Sequence, residues 1–169
     1  LAADEALSLE VARAMFSRRF PHADIKGKTL QELMGMEGLR VREFYMETAQ
    51  KYGVGWKGRT FVPEKFELSD LANQILTATN AALYGIVASV VHSLGYSPHL
   101  GFVHSGSPLP FVYDIADLYK GEFCVDLAFS LCRELAGRYD RHVVSSAFRE
   151  KVIDNNLLER LVKDIDCYA

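Results

Sequence analysis

The sequence predicts an all-α fold, a helical bundle around a long buried central helix, and three observations carry that expectation. Apolar residues recur at helical spacing through most of the chain. Helix-starting residues (Thr29, and Ser69 or Asp70) stand before periodic runs. Strand signal is almost absent. Composition agrees: 169 residues, 49% hydrophobic and 24% charged, suit one soluble globular domain over residues 1–169 and not a disordered or fibrous chain.

The elements follow in order. From Ala2 to Phe20, Leu7, Val11, Met15 and Phe16 form a helical stripe with charges between. Pro21 to Lys28 is a polar connection. Thr29 then opens a helix, with Glu32 three residues on to complete a capping box. Gly35 and Gly38 predict an interruption, and a second helix from about Glu37 to Tyr52. Gly53, Gly55 and Gly58 around Trp56, followed by Thr60, Phe61, Val62 and Pro63, read as a loop or a small hairpin. Ser69 or Asp70 caps a long helix ending near Leu94. After a loop from Gly95 to Pro108, Pro110 sits in the first turn of a helix reaching about Lys120. Further helices fit Cys124 to Leu135, Asp140 to Ile153 and Leu157 to Cys167, with Gly137 as a stop.

Ile75 to Leu94 is apolar enough to suggest a membrane span, but Thr77, Thr79, Asn80 and His92 interrupt it and no basic flank orients it. The expectation is a bundle centre, approached closely at Gly85, Ala88 and Ser89, with no membrane partner. The formal charge of -3 gives no global positive field, so a nucleic-acid partner would need local basic patches. Arg13, Arg18, Arg19, Lys26 and Lys28 form one cluster, and Arg133, Arg138 and Arg141 another; ordinary solvated surface explains both equally. Cys124, Cys132 and Cys167 are odd in number and show no CxxC spacing, which predicts neither a thiolate zinc site nor a disulfide framework, and favours a reduced, cytoplasmic setting. The chain opens at Leu1 with no basic segment before an apolar run, so a signal peptide is not expected and a fragment or processed product is.

Two stretches carry polar groups that their local pattern does not need. In Gly35-Met36-Glu37-Gly38-Leu39-Arg40-Val41-Arg42, the glycines let neighbours approach the Glu37 carboxylate, although an acid near a helix start is also favoured by the helix dipole. Gly101-Phe102-Val103-His104-Ser105-Gly106 precedes Phe111-Val112-Tyr113-Asp114-Ile115-Ala116-Asp117, in which Asp114 and Asp117 lie one turn apart. A solvated helix face gives the same acid spacing, and His104 alone reads as a core or capping histidine. Together, a carboxylate, an imidazole and a second carboxylate would suit magnesium or manganese with an open position for a phosphate oxygen. Spacing alone does not gather them.

These blocks, with Leu83-Tyr84-Gly85 and residues 51–59 (Lys-Tyr-Gly-Val-Gly-Trp-Lys-Gly-Arg), resemble in order the CRISPR-associated integrase family Cas-one, in its I-E-like branch, across essentially the whole chain. The resemblance implies that Glu37, His104 and Asp117 are catalytic metal ligands for Mg or Mn, with Asp114 an auxiliary acid orienting a ligand or a water. It implies that Tyr84 stacks on a DNA end and that Lys120 and Arg141 contact phosphates; a core aromatic and solvated charges are the alternatives. It further implies a metal-dependent DNA endonuclease and integrase. The 3′ hydroxyl of a captured fragment attacks a phosphodiester at the CRISPR repeat, inserting a new spacer by transesterification for antiviral defence. Expected partners are double-stranded DNA (prespacer and CRISPR repeat), a second copy in a homodimer, and the smaller protein Cas-two. The family's N-terminal β-rich domain is absent, so the chain is expected to be the C-terminal helical catalytic domain of a longer two-domain protein, weakly active or inactive alone. Val144 and Ser107 depart from the arginine and lysine that relatives carry. Two readings compete: a non-catalytic helical scaffold that binds DNA or a partner through basic faces, and a helical metallohydrolase acting on small phosphates.

Overall fold

A computed structural model of the chain describes residues 4–60, 63–104 and 106–168. Phe61 and Val62 of the expected loop or hairpin, Ser105 of the His block and Ala2 at the expected helix start lie outside the described residues. Among the described residues there is no strand, and the chain is helical as expected.

Helix α1 spans Glu5–Arg19. Asp4 caps it, its carboxylate accepting from the Ala6 and Leu7 N–H groups at 3.0 and 3.2 Å, and Ala12, Met15 and Phe16 are its buried face. Helix α2 spans Leu30–Tyr52. Its capping box closes both ways: Thr29 N donates to Glu32 Oε2 at 2.8 Å, and Glu32 N donates to Thr29 Oγ1 at 3.3 Å. The Thr29 backbone and hydroxyl bonds hold the Glu32 carboxyl below its ordinary pKa.

The interruption expected at Gly35 and Gly38 does not occur: α2 runs unbroken through both. Neither glycine takes a left-handed conformation. The helix accepts their propensity cost, about 1 kcal/mol each relative to alanine. Tertiary packing offsets it, with Leu33 and Ala49 buried on the same helix.

The glycine-rich stretch after α2 is tied down by Arg59, which donates to Asn73 Oδ1 and Thr77 Oγ1 at 2.9 Å each. A 3₁₀ turn over Pro63–Leu68 leads into helix α3, Leu71–Ser93, capped by Asp70 through the Asn73 N–H at 2.9 Å. Ile75, Leu76, Leu83, Val87 and Val91 form its fully buried stripe, each contributing about 2 kcal/mol by leaving water. Burial is one-sided: Ala81, Ala82, Gly85 and Ser89 are exposed. By length and composition α3 is long and apolar enough to cross a membrane, and 33% of its apolar window is buried within this chain.

Helix α4, Pro110–Asp117, begins on its proline. A π-helical turn over Gly121–Val125 joins directly to α5, Asp126–Glu134. Ala136 and Gly137, both at positive φ, end the α5 region. Asp140 caps α6, Arg141–Asp154, through the His142 and Val143 N–H groups at 2.8 and 3.1 Å. Helix α7, Leu157–Tyr168, buries Leu157, Leu161 and Ile165, one residue per turn. These bounds match the expected ones within a residue or two, apart from α4, which ends at Asp117.

The chain forms two compact units. The first comprises Leu1–Arg40, Tyr84–Leu118 and Leu158–Ala169; the second comprises Val41–Leu83 and Tyr119–Leu157. Glu37, Tyr84, His104, Asp114 and Asp117 all belong to the first unit, and Lys120 and Arg141 to the second. Inside the second, Tyr45 stacks on Trp56 and Phe129 meets Trp56 edge-on, centroids 5.3 and 5.1 Å apart.

Candidate metal centre

The centre is built around Asp114. Pro110 opens α4 against Gly101, where a Cβ would lie 2.6 Å from Pro110 Cβ and 2.9 Å from Asp114 Oδ2, so a glycine is required for the loop to reach the helix. Asp114, 3% exposed, accepts three successive backbone N–H groups: Phe102 at 2.5 Å, Val103 at 3.1 Å and His104 at 3.0 Å. Successive amides converging in this way form a cradle for negative charge, which a buried carboxylate needs. The same carboxylate lies 2.7 Å from His104 Nδ1.

That contact bears on the imidazole roles. A carboxylate at Nδ1 favours the tautomer that carries the proton there, with Nε2 as the acceptor. Nε2 lies 3.6 Å from Asp117 Oδ2. Asp117 is 9% exposed, so the solvated-face alternative for the two aspartates does not hold: both are buried on an α4 that is enclosed almost all round.

Glu37 comes from α2, and Arg19 from the last turn of α1 joins it to the rest. Arg19 Nη1 donates both to Glu37 Oε1 and to Asp117 Oδ2, the latter at 3.2 Å. Since α2 begins at Leu30, Glu37 is two turns inside the helix, and stabilisation of a helix start does not account for it. The structure thus brings His104, Asp114 and Asp117 into direct contact and connects Glu37 to them through a guanidinium. As arranged, no group of three His, Cys, Asp or Glu side chains among the described residues is disposed to hold a metal ion; the cation between Glu37 and Asp117 is Arg19. The donor set still fits a divalent ion. It offers two carboxylates and an oriented imidazole nitrogen, hard and borderline ligands of the kind magnesium and manganese take, and a positive charge already resides among them.

Tyr84 packs edge-on against Tyr113, centroids 5.0 Å apart, and Tyr113 lies 6.1 Å from the His104 ring. Lys120 is half-buried and Arg141 is the exposed first residue of α6, both in the second unit. The basic cluster read from residues 13–28 is split: Arg18 and Lys26 are exposed, while Arg13, Arg19 and Lys28 are half-buried. Arg13 donates to the Lys28 carbonyl at 2.7 Å, Arg18 pairs with Asp164, and Arg19 turns to the acids. Sequence reasoning did not assign Arg19, Gly101 or Tyr113 to the site. Gly101 alone had a local signal, as the first glycine of the His block. All three cysteines are free; burial pushes the Cys124 and Cys132 thiols up to about 12 and about 11, which makes them poor nucleophiles.

With the fold and the centre described, comparison with known proteins places the chain. The family model for CRISPR associated protein Cas1 matches residues 3–160. The CRISPR-associated endonuclease Cas1 2 of Chlorobaculum tepidum is 61% identical over 166 residues, 98% of this chain and 56% of its own length. The CRISPR-associated endonuclease Cas1 of Escherichia coli is 43% identical over 143 residues, 85% of this chain and 47% of its own. The crystal structure of a TtCas1–DNA complex aligns with a TM-score of 0.87 at 39% identity, covering 99% of this chain and 62% of that one. The Cas1 protein TM1797 of Thermotoga maritima, at 18% identity and a TM-score of 0.71, shares the fold. The chain therefore spans about half the length of the curated relatives it matches. On sequence and on fold alike, this chain belongs to the Cas1 family of CRISPR-associated proteins.

Proposed function

We propose that this chain is the C-terminal helical, catalytic domain of a longer, I-E-like Cas1 integrase, and that Glu37, His104 and Asp117 hold one Mg or Mn ion. The observation that carries the reading is the ordered chain Asp114–His104–Asp117, which presents His104 Nε2 to Asp117 with Nδ1 anchored. A divalent ion bound there would supply polarisation of a phosphodiester and stabilisation of charge on the leaving oxygen. Asp114 acts behind the ligands. It fixes the imidazole tautomer and stiffens the 102–104 loop, so that His104 offers nitrogen in one direction only. Glu37 and Asp117 contribute the negative charge that makes the seat selective for a cation.

The reaction is transesterification. A 3′ hydroxyl attacks phosphorus in the CRISPR repeat, a new phosphodiester forms as the old one breaks, and the proton lost by the attacking oxygen is regained by the departing one. With water as the attacking group the same centre cleaves DNA. The substrate is double-stranded DNA (prespacer and repeat); the solved DNA complex of TtCas1 supports DNA binding. Tyr84, packed on Tyr113, would stack on a DNA end, and Lys120 and Arg141 would neutralise phosphates. In the whole protein α3, with its fully buried stripe, is the central helix of this half. The partners are a second copy and Cas-two, the setting is cytoplasmic, and no membrane is engaged. The chain without the rest of the protein is weakly active or inactive.

The test is cleavage and strand transfer on branched and duplex DNA, by this chain and by a full-length form, with manganese or EDTA. Full-length protein is expected to act only with the metal, and Glu37→Ala, His104→Ala and Asp117→Ala each to reduce turnover at least about a hundredfold. DNA affinity that is salt-sensitive yet indifferent to metal and to Glu37 would support the scaffold reading instead.

A further inference from the structure

Arg19 is not a surface charge. Its side chain is 16% exposed, and one nitrogen, Nη1, serves carboxylates from two different helices, Glu37 on α2 and Asp117 on α4.

We propose that Arg19 is the built-in counter-cation of this centre, filling the cation seat between Glu37 and Asp117 until a divalent ion displaces it, and so setting the affinity for that ion. The proposal rests on the reading of Glu37, His104 and Asp117 as metal ligands.

Three considerations lead to it. Glu37, Asp114 and Asp117 put three carboxylates in one partly buried cluster, and like charges at short range destabilise the fold unless a cation answers them. Asp114 is answered by its amide cradle and His104. Glu37 and Asp117 share Arg19. Second, a guanidinium nitrogen 3.2 Å from Asp117 Oδ2 and an ion about 2.1 Å from the same oxygen would press two cations together, so occupancy is exclusive. Third, the guanidinium has another contact to keep when it withdraws. The Phe20 ring centroid is 5.2 Å from Arg19 Cζ, and Arg40 lies against the same ring at 5.7 Å.

A purely structural ion pair and a counter-cation make opposite predictions for metal affinity. The experiment measures manganese binding to this chain by the paramagnetic signal of free manganese, alongside thermal unfolding in EDTA and in manganese, for the native chain, Arg19→Met and Arg19→Lys. Arg19→Met is expected to melt lower than native in EDTA, to bind manganese about tenfold more tightly, and to gain a larger increment in Tm from it. Arg19→Lys keeps the charge but not the planar fork, and falls between on both measures; it decides the matter if Arg19→Met does not fold. Variants that fold but bind manganese no more tightly than the native chain overturn the inference while leaving the metal centre intact. A native chain that takes up no manganese removes the metal-centre reading, and the inference with it.

Discussion

A single carboxylate can organise a loop only if the backbone comes to it, and Asp114 shows what that requires. The amides of residues 102–104 converge on it because Gly101 has no Cβ to collide with Pro110 and Asp114 Oδ2. Gly101→Ala forces either the loop or α4 to move, and is expected to cost about 1–3 kcal/mol, read as a lower urea midpoint with an unchanged slope. Asp114→Ala leaves two buried amides, one half-buried amide and an imidazole without their acceptor; about 3 kcal/mol or more is expected from charge-assisted bonds of this kind, together with loss of manganese-induced stabilisation. A variant as stable as the native chain would show that the loop does not depend on this anchor. At this scale little was legible in the sequence. The acid spacing of Asp114 and Asp117 is shared by any solvated helix face, and Arg19 meets its partners across 18 and 98 positions, contacts that no local pattern encodes.

Elements were more legible, because caps and stripes are local. Asp140 before α6 and the Leu157, Leu161, Ile165 row of α7 fix those helices almost to the residue. The capping box at Thr29 and Glu32 likewise fixed where α2 starts. What misled was giving Gly35 and Gly38 the weight of a helix break, when propensity of this size yields to packing. The structure gives neither glycine a steric reason: a Cβ at either meets nothing within 4 Å, and neither has positive φ. Gly35→Ala and Gly38→Ala are therefore each expected to stabilise α2 by about 0.5–1 kcal/mol, seen as a rise in Tm. A fall would mean that one of these positions must stay bare, and Gly38, beside Glu37, would then be a place where a ligand approaches the backbone.

For the molecule as a whole, stability and the metal centre can be probed apart, since each unit has its own polar hub. In the second unit Asp126 accepts from Lys51 Nζ at 2.9 Å, Tyr52 Oη at 2.8 Å and Lys151 Nζ at 3.3 Å. Partial burial alone would raise its pKa, but the three donors outweigh it and hold the carboxyl below its ordinary 3.8. A depressed carboxylate stabilises the fold above its unfolded pKa, and the contribution fades as pH falls through the folded value, so the loss belongs below pH 3.8. Asp126→Asn is expected to cost about 1 kcal/mol at neutral pH, given the exposure of the pair, and to flatten the acid limb of the stability profile; an unchanged limb would place the acid sensitivity elsewhere. In the first unit the corresponding hub is the centre itself. The most direct measurement is anomalous scattering from crystals of this chain equilibrated with manganese. One peak is predicted, about 2.1 Å from a Glu37 carboxylate oxygen, His104 Nε2 and an Asp117 carboxylate oxygen, with the Arg19 guanidinium withdrawn; manganese bound elsewhere, or density there still occupied by Arg19 at saturating metal, would contradict the account.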